Sequence, residues 1–412
     1  MGRRVRTWAA AGLIGCFSGT SLAAQEGGTP ADAPAPEDGR AQYPPLLSNA
    51  FVNINIGYID YPFSDVQLEP GHEVGDVAVR HLALRAVLLG RHFGKHLSAQ
   101  GSYMRPIKYV RYRDIDGTGT TRFVWMHYGT LTLLGRVPVG ARASVYGEGG
   151  FAITSRRGFD VDETPVVRNA LFTAPLVGAG VEYHVNSTWD IVSGASYIFP
   201  KDSRRQPRTL LASTGFRYNL RPLPPERVEE TRRSRFMFPK QVIQLGFATN
   251  ALGYGVNNFL SRKVPVFWGG KVEVERSVFS VQYQRNLFHT KKVFSIDMGV
   301  SVSRWRSDGE GQAFLTASVY PLLRFTLVRR RPADLYVSWS VAGPSYISHD
   351  VIDGRDTGGH FTFQDFMGMG VFFGARRQFN AEIGINHYSN GNLLTDNAGV
   401  KIPLTFKLGY GF

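Results

Sequence analysis

Short segments in which apolar residues alternate with polar or small residues recur along most of the chain. In the first of them, Val52, Ile54 and Ile56 share one face, while Asn53 and Asn55 share the other. A period of two is typical of a β-strand with one apolar and one polar face. The pattern predicts sixteen strands, near 50–59, 79–91, 96–111, 122–137, 141–155, 170–185, 188–199, 208–220, 241–251, 265–286, 291–306, 312–327, 334–346, 361–374, 378–389 and 401–412.

The N-terminus has the features of an export signal over residues 1–24. Three arginines precede an apolar stretch over 8–17, and small residues precede Gln25. A competing interpretation makes Cys16 the lipidated N-terminus of a lipoprotein. If cleavage follows Ala24 instead, the only cysteine is removed, which excludes disulfides, a thiolate nucleophile and cysteine-based metal sites.

After residue 24 no run of 18 or more apolar residues occurs, so no spanning helix is predicted. An exported chain of amphipathic strands can still enter a bilayer as a closed barrel, because all backbone groups then pair between strands. The last strand ends with Leu404, Phe406, Leu408, Tyr410 and Phe412 in alternation, like the C-terminal signal of outer-membrane barrels. Short turns alternate with longer polar loops. The sequence therefore predicts a protein of the Gram-negative outer membrane.

Residues 221–236 interrupt the strand pattern with three prolines and many charges, which a membrane strand cannot accommodate. The predicted fold class is all-β, with two eight-stranded antiparallel transmembrane β-barrels in tandem. The barrels would span 47–220 and 237–412, joined by a periplasmic linker over 221–236 and preceded by a flexible segment over 25–46. A single sixteen-stranded pore is the competing architecture. Eight-stranded barrels are filled by side chains, so the tandem arrangement predicts no channel.

The chain has a formal net charge of +14. This charge indicates either an ordinary solvated surface or attraction to anionic lipid and lipopolysaccharide. Several basic residues, such as Lys291 and Lys292, fall in short turns that the topology places in the periplasm. An exported chain is not expected to bind nucleic acid. The longest predicted strand, 265–286, exceeds the roughly 9–11 residues that cross a bilayer, so it should project beyond the membrane or contain a break.

The strand near 378–389 has candidate catalytic residues on its lipid-facing side. Phe379, Ile383 and Ile385 form the apolar row, and His387 and Ser389 continue that row at the outer end. Residues two apart on a strand lie about 6.5–7 Å apart on one face, so an imidazole can lean toward the serine hydroxyl. Serine needs such a base to act as a nucleophile at neutral pH. The non-catalytic alternative is that the histidine only anchors the barrel at the membrane interface.

Two carboxylates are candidates for orienting the imidazole. If the preceding turn centres on Arg376, Asp365 pairs directly with His387 and also points outward. Asp396 lies in the loop after the serine and is the second candidate. Asn390 and nearby backbone N–H groups could stabilise an oxyanion.

The motif His387-Tyr388-Ser389-Asn390, the following Asn397-Ala398-Gly399 and the preceding FTFQDF segment resemble the PagL-type lipid A 3-O-deacylases. The resemblance covers about residues 237–412. It implies an outer-membrane barrel enzyme with Ser389 as nucleophile, His387 as general base and Asn390 as oxyanion contributor. The family's triad ends in a glutamate, but Lys401 stands at that position here. Either Asp365 or Asp396 substitutes, or the histidine works in a dyad, or activity is weak or lost.

The sequence thus predicts a carboxylic ester hydrolase that removes an acyl chain from lipid A of the outer leaflet, without metal or other cofactor. Residues 47–220 loosely resemble OmpA-like barrels, which implies no chemistry and leaves an anchoring, partner-binding or adhesive role. The alternative function is a non-enzymatic structural or adhesion barrel protein. The expected partners are lipid A or lipopolysaccharide and the outer membrane itself, with a homodimer kept as a candidate assembly.

Overall fold

A computed structural model describes residues 39–234, 236–263, 269–330, 332–394 and 396–412. The predicted signal peptide, the alternative lipidation at Cys16 and residues 25–38 of the predicted N-terminal segment lie outside the described residues.

Eight strands of the first half form a closed antiparallel barrel in the order β6-β4-β3-β1-β12-β11-β10-β7, with β7 pairing back to β6. Two further strands, β2 and β5, extend the sheet beyond β6, and β8 and β9 form a separate hairpin. The strands are β1 Ala50–Asp60, β2 Val74–Ala78, β3 Leu82–Phe93, β4 Leu97–Pro106, β5 Val110–Ile115, β6 Thr121–Pro138, β7 Ala143–Arg157, β8 Phe159–Val161, β9 Thr164–Val167, β10 Ala170–His184, β11 Trp189–Ile198 and β12 Thr209–Leu220.

The second half closes separately in the order β13-β14-β15-β16-β17-β20-β21-β22. Two closed barrels confirm the tandem prediction, and the single sixteen-stranded pore is wrong because each set of eight strands satisfies its own edges. The small hairpin β18–β19 lies in a loop. The strands are β13 Gln241–Ala248, β14 Val272–His289, β15 Phe294–Ser307, β16 Ala313–Arg329, β17 Ala333–Ile347, β18 Val351–Ile352, β19 Arg355–Asp356, β20 Phe361–Phe373, β21 Phe379–Ser389 and β22 Val400–Gly411.

Within the described ranges, two α-helices occur that the sequence pattern does not predict. Along the chain, helix α1, Pro225–Arg232, lies between the two sets of barrel strands, and α2, Gly255–Lys263, lies between β13 and β14. The strand predicted at 265–286 begins instead at Val272 and contains three register shifts against β15, while 264–268 lie outside the described residues. Short 3-10 helices occur at Gly39–Ala41, Asp65–Gln67, Asp202–Arg204 and Asn250–Leu252.

No helix in the described ranges is long and apolar enough to cross a membrane.

Both barrels have apolar outer walls and polar interiors. On β1, Ile54 is 65% exposed whereas Asn53 is 4% exposed. Buried ion pairs fill the interiors, including Arg85 with Glu148 in the first barrel, and Lys407 with Glu382 and Arg324 with Asp297 in the second. This inside-out distribution is typical of barrels surrounded by lipid.

Candidate active site

Strands β20 and β21 bring a carboxylate and an imidazole together on the outer wall of the second barrel. Asp365 and His387 are direct cross-strand partners, as the turn at Arg376 predicts. Tyr388 points into the barrel, where its hydroxyl oxygen accepts a hydrogen bond of 3.1 Å from Oγ1 of Thr316. Since successive side chains alternate, His387 and Ser389 both point outward.

The Asp365 carboxylate is held by a bulge in the neighbouring strand. One oxygen, Oδ1, accepts a hydrogen bond of 2.8 Å from the backbone N–H of Ala342. The other, Oδ2, lies 3.6 Å from Nδ1 of His387, which is an ion-pair distance longer than a hydrogen bond. The register of β17 against β20 shifts between Ser340 and Gly343, and Ala342 has a φ of +54°. Such bulges re-aim individual groups, and this one fixes the carboxylate beside the imidazole.

Lys401 lies on the opposite flank of His387, as its cross-strand partner on β22. Its ammonium forms an ion pair of 2.5 Å with Oε1 of Glu273 and lies 4.6 Å from the ring centre of Tyr254. It also donates to Oδ1 of Asn258 at 3.4 Å. Lys401 and Glu273 are adjacent because the start of β14 pairs in parallel with β22 beyond the end of β13.

Four charged or titratable side chains therefore form one row across four strands, in the order Asp365, His387, Lys401 and Glu273. Although this row lies on the outer wall, His387 is only 3% exposed. By contrast, Ile383, lower on the same strand and face, is 38% exposed. The outer end of this wall is thus covered, and electrostatic interactions are stronger where water is excluded.

The segment after Ser389 and helix α2 provide this cover. A Cβ atom on Gly399, whose φ is +64°, would lie 3.3 Å from Nε2 of His387. Helix α2 is fastened to β22, where the side chain of Asn257 donates to the carbonyl of Ile402 at 2.9 Å.

Asn390 stabilises the loop that follows the serine. Its Nδ2 donates to the carbonyl oxygens of Thr357 at 3.1 Å and of Asp396 at 2.6 Å. Its backbone N–H donates to Oδ1 of Asn397 at 3.2 Å. Gly358 packs so closely that a Cβ there would lie 2.3 Å from Nδ2 of Asn390. In this arrangement the amide donors of Asn390 are directed into the loop.

The two candidate acids have different surroundings. Asp365 faces His387 through its carboxylate, whereas Asp396 meets Asn390 through its backbone carbonyl. Among the residues that the structure describes, the ion pair to His387 comes from Asp365. The sequence did not predict the roles of Ala342 and Glu273 or the contacts of α2. Ala342 lies in a β-bulge and Glu273 in a parallel strand pairing, and neither feature changes the alternating pattern.

The fold and this row define a class: a Gram-negative outer-membrane β-barrel protein with a candidate serine, histidine and carboxylate site on its lipid-facing wall. Residues 277–410 match the model of the family described as lipid A 3-O-deacylase (PagL). The predicted resemblance of the second barrel to this family is therefore confirmed over these residues.

Several solved structures of outer-membrane barrels are similar to parts of the chain. The outer membrane enzyme PagL is 16% identical to this chain, with a TM-score of 0.27. The matched region covers 41% of this chain and 97% of the PagL chain. The N-terminal β-barrel domain of Pseudomonas aeruginosa OprF is 13% identical, with a TM-score of 0.28; the match covers 42% of this chain and 98% of that domain. Neisserial surface protein A is 13% identical, with a TM-score of 0.28; the match covers 42% of this chain and 97% of that protein. No curated protein matches the chain in sequence.

Proposed function

We propose that this chain is an outer-membrane ester hydrolase that removes the 3-O-linked acyl chain of lipid A by a serine–histidine mechanism. The observation that carries the proposal is the outward pairing of Asp365 with His387, with Ser389 two residues further on the same face of the barrel that resembles the PagL family. A site on the outer wall can receive an acyl ester laterally from the outer leaflet.

In the proposed reaction, Oγ of Ser389 attacks the ester carbonyl while His387 takes the hydroxyl proton. A bond forms between Oγ and the acyl carbon, and the bond to the sugar oxygen breaks. His387 returns the proton to that sugar oxygen. Water then hydrolyses the acyl-enzyme with the same histidine as base, which releases a fatty acid and restores Ser389.

Asp365 takes the role of the triad acid in this proposal. Its Oδ1 is anchored by Ala342, so its Oδ2 is free to orient Nδ1 of His387 and to stabilise the imidazolium. Catalytic hydrogen bonds often shorten when substrate binds, so Oδ2 and Nδ1, now 3.6 Å apart, need to approach by less than about 1 Å to form one. Asp396 is kept as the comparison acid.

Mass spectrometry of lipid A from cells producing the wild type or Ser389→Ala tests the proposal. We expect the wild type to remove one hydroxyacyl group and Ser389→Ala to remove none. Ser193→Ala is a matched control, because Ser193 lies on the first barrel, where its hydroxyl forms a hydrogen bond of 2.7 Å with Oγ1 of Thr214. It should act like the wild type. Each protein must first show the heat-modifiable gel mobility of a folded barrel.

The second candidate function is a structural or adhesion protein whose second barrel has lost deacylase activity. The presence of Lys401 at the position of the family's glutamate favours it. Unchanged lipid A in cells with folded wild-type protein would support this alternative and contradict the esterase proposal.

A further inference from the structure

The outer wall of the first barrel contacts the loop that follows Ser389. This loop, residues 390–394, meets β4, β6 and β7 through side chains of the first barrel. The polar contacts are Tyr103 Oη to the carbonyl of Gly391 at 3.2 Å, Asn392 Nδ2 to Nε2 of His127 at 3.5 Å, and Ser155 Oγ to the carbonyl of Leu394 at 3.5 Å.

The contacted patch is an exception within a lipid-facing wall. Along the outward row of β6, Trp125 is 39% exposed and Leu131 is 53% exposed, whereas His127 between them is 1% exposed. Ser155, the cross-strand partner of His127, is 3% exposed. Polar groups are costly against lipid and occur there mainly where they are covered. The 390–394 loop supplies that cover.

The shape of the wall also fits the loop. A Cβ atom on Gly129 would lie 3.2 Å from Cδ2 of Leu393, so the glycine leaves just enough room for the leucine. A Cβ on Gly135, six residues along the same outward row, would have no atom within 4 Å. The loop itself has φ values of +66° at Gly391 and +56° at Asn392. A backbone in this region persists when surrounding contacts hold it.

We propose that the first barrel is a positioning module for the candidate active site, with Tyr103 and His127 as positioning residues. By holding the 390–394 loop, it fixes the chain directly after Ser389 and closes one side of the lipid-facing site. The catalytic consequence rests on the proposed function, but the structural role does not.

Hydrogen exchange of the backbone amides of residues 390–394 tests the structural role without any activity. The full-length protein is compared as wild type, Gly129→Leu and Gly135→Leu in detergent. Gly129→Leu should displace Leu393 and accelerate exchange by about 10-fold or more, while Gly135→Leu, which adds the same side chain toward lipid, should leave exchange unchanged. The proposal is wrong if both variants exchange alike.

Cysteine cross-linking checks the contact independently, since Cys16 is the only cysteine in the sequence. Gly129→Cys with Leu393→Cys should form a disulfide under mild oxidation in a Cys16→Ser background. Leu133 lies four residues beyond Gly129 on the same outward row of β6. The control pair Leu133→Cys with Leu393→Cys should therefore form no disulfide. Equal cross-linking in both pairs would contradict the placement of the loop.

Lipid A turnover by the same variants tests the catalytic consequence. We expect Gly129→Leu to lower kcat about 10-fold with little change in KM, and Gly135→Leu to match the wild type. Adding Leu393→Ala to Gly129→Leu removes the clash and should restore kcat. If the wild type has no deacylase activity, the proposed function fails, and the exchange and cross-linking results still decide whether the first barrel holds the loop.

Discussion

Replacing Asp365 by Asn removes the charge that faces His387 while leaving the shape of the site intact. An asparagine Oδ1 can still accept the N–H of Ala342, so the bulge and the barrel should be retained. For unit charges 3.6 Å apart, Coulomb's law gives about 4.6 kcal/mol at an effective dielectric constant near 20. That energy would lower the rate by about 10³-fold if the imidazolium lost all of it in the transition state. Because the amide dipole compensates partly, we expect kcat to fall roughly 10²- to 10³-fold.

The assay is release of hydroxy fatty acid from lipid A in mixed micelles, with purified folded protein. Asp396→Asn is the matched control, since it makes the same chemical change at the other candidate acid and should lower kcat by no more than about 3-fold. A folded Asp365→Asn protein with wild-type kcat would refute the assignment of the acid. A large loss in Asp396→Asn alone would transfer the role to Asp396.

Three further predictions follow from neighbouring contacts. In an Asp365→Asn background, Lys401→Glu combined with Glu273→Lys places an acid beside His387 at the family position and should recover at least about 10-fold in kcat, measured by the same fatty-acid release. Ala342→Gly should stabilise the folded barrel by up to about 1 kcal/mol in urea titration, because glycine adopts a φ of +54° without steric cost. In planar bilayers the purified protein should give no stable single-channel conductance, because ion pairs fill both barrel interiors.

The alternating pattern predicted most of the barrel strands closely because a membrane barrel imposes the same period on them, although the strand predicted at 265–286 begins at Val272. The predicted 378–389 and 361–374 appear as Phe379–Ser389 and Phe361–Phe373. The short turn at Arg376 then determined the register, so the pairing of Asp365 with His387 was also predictable. Both follow from local chain geometry, which is what a single sequence records best.

Features that depend on contacts between distant segments were not predictable in this way. Glu273 reaches Lys401 only because β13 ends early and β14 pairs with β22 in parallel. Ala342 reaches Asp365 only through a bulge, which shifts alternation without changing composition. His127 did leave a signal, since it is a polar residue within an apolar outward row, but the sequence does not show which segment covers it.

The charge around His387 bears on whether Lys401 marks a lost enzyme. Asp365, Lys401 and Glu273 together have a formal charge of −1, which is the charge that one triad carboxylate supplies. An imidazolium formed during the reaction would thus still be balanced. Glu273→Gln removes one negative charge and should lower kcat, by about 10-fold because Glu273 is partly exposed and one strand further away. Lys401→Met with Glu273→Gln restores the formal charge to −1 and should recover most of that loss. If the single and double variants are equally impaired, packing around Lys401 matters rather than charge, and the balance argument is wrong.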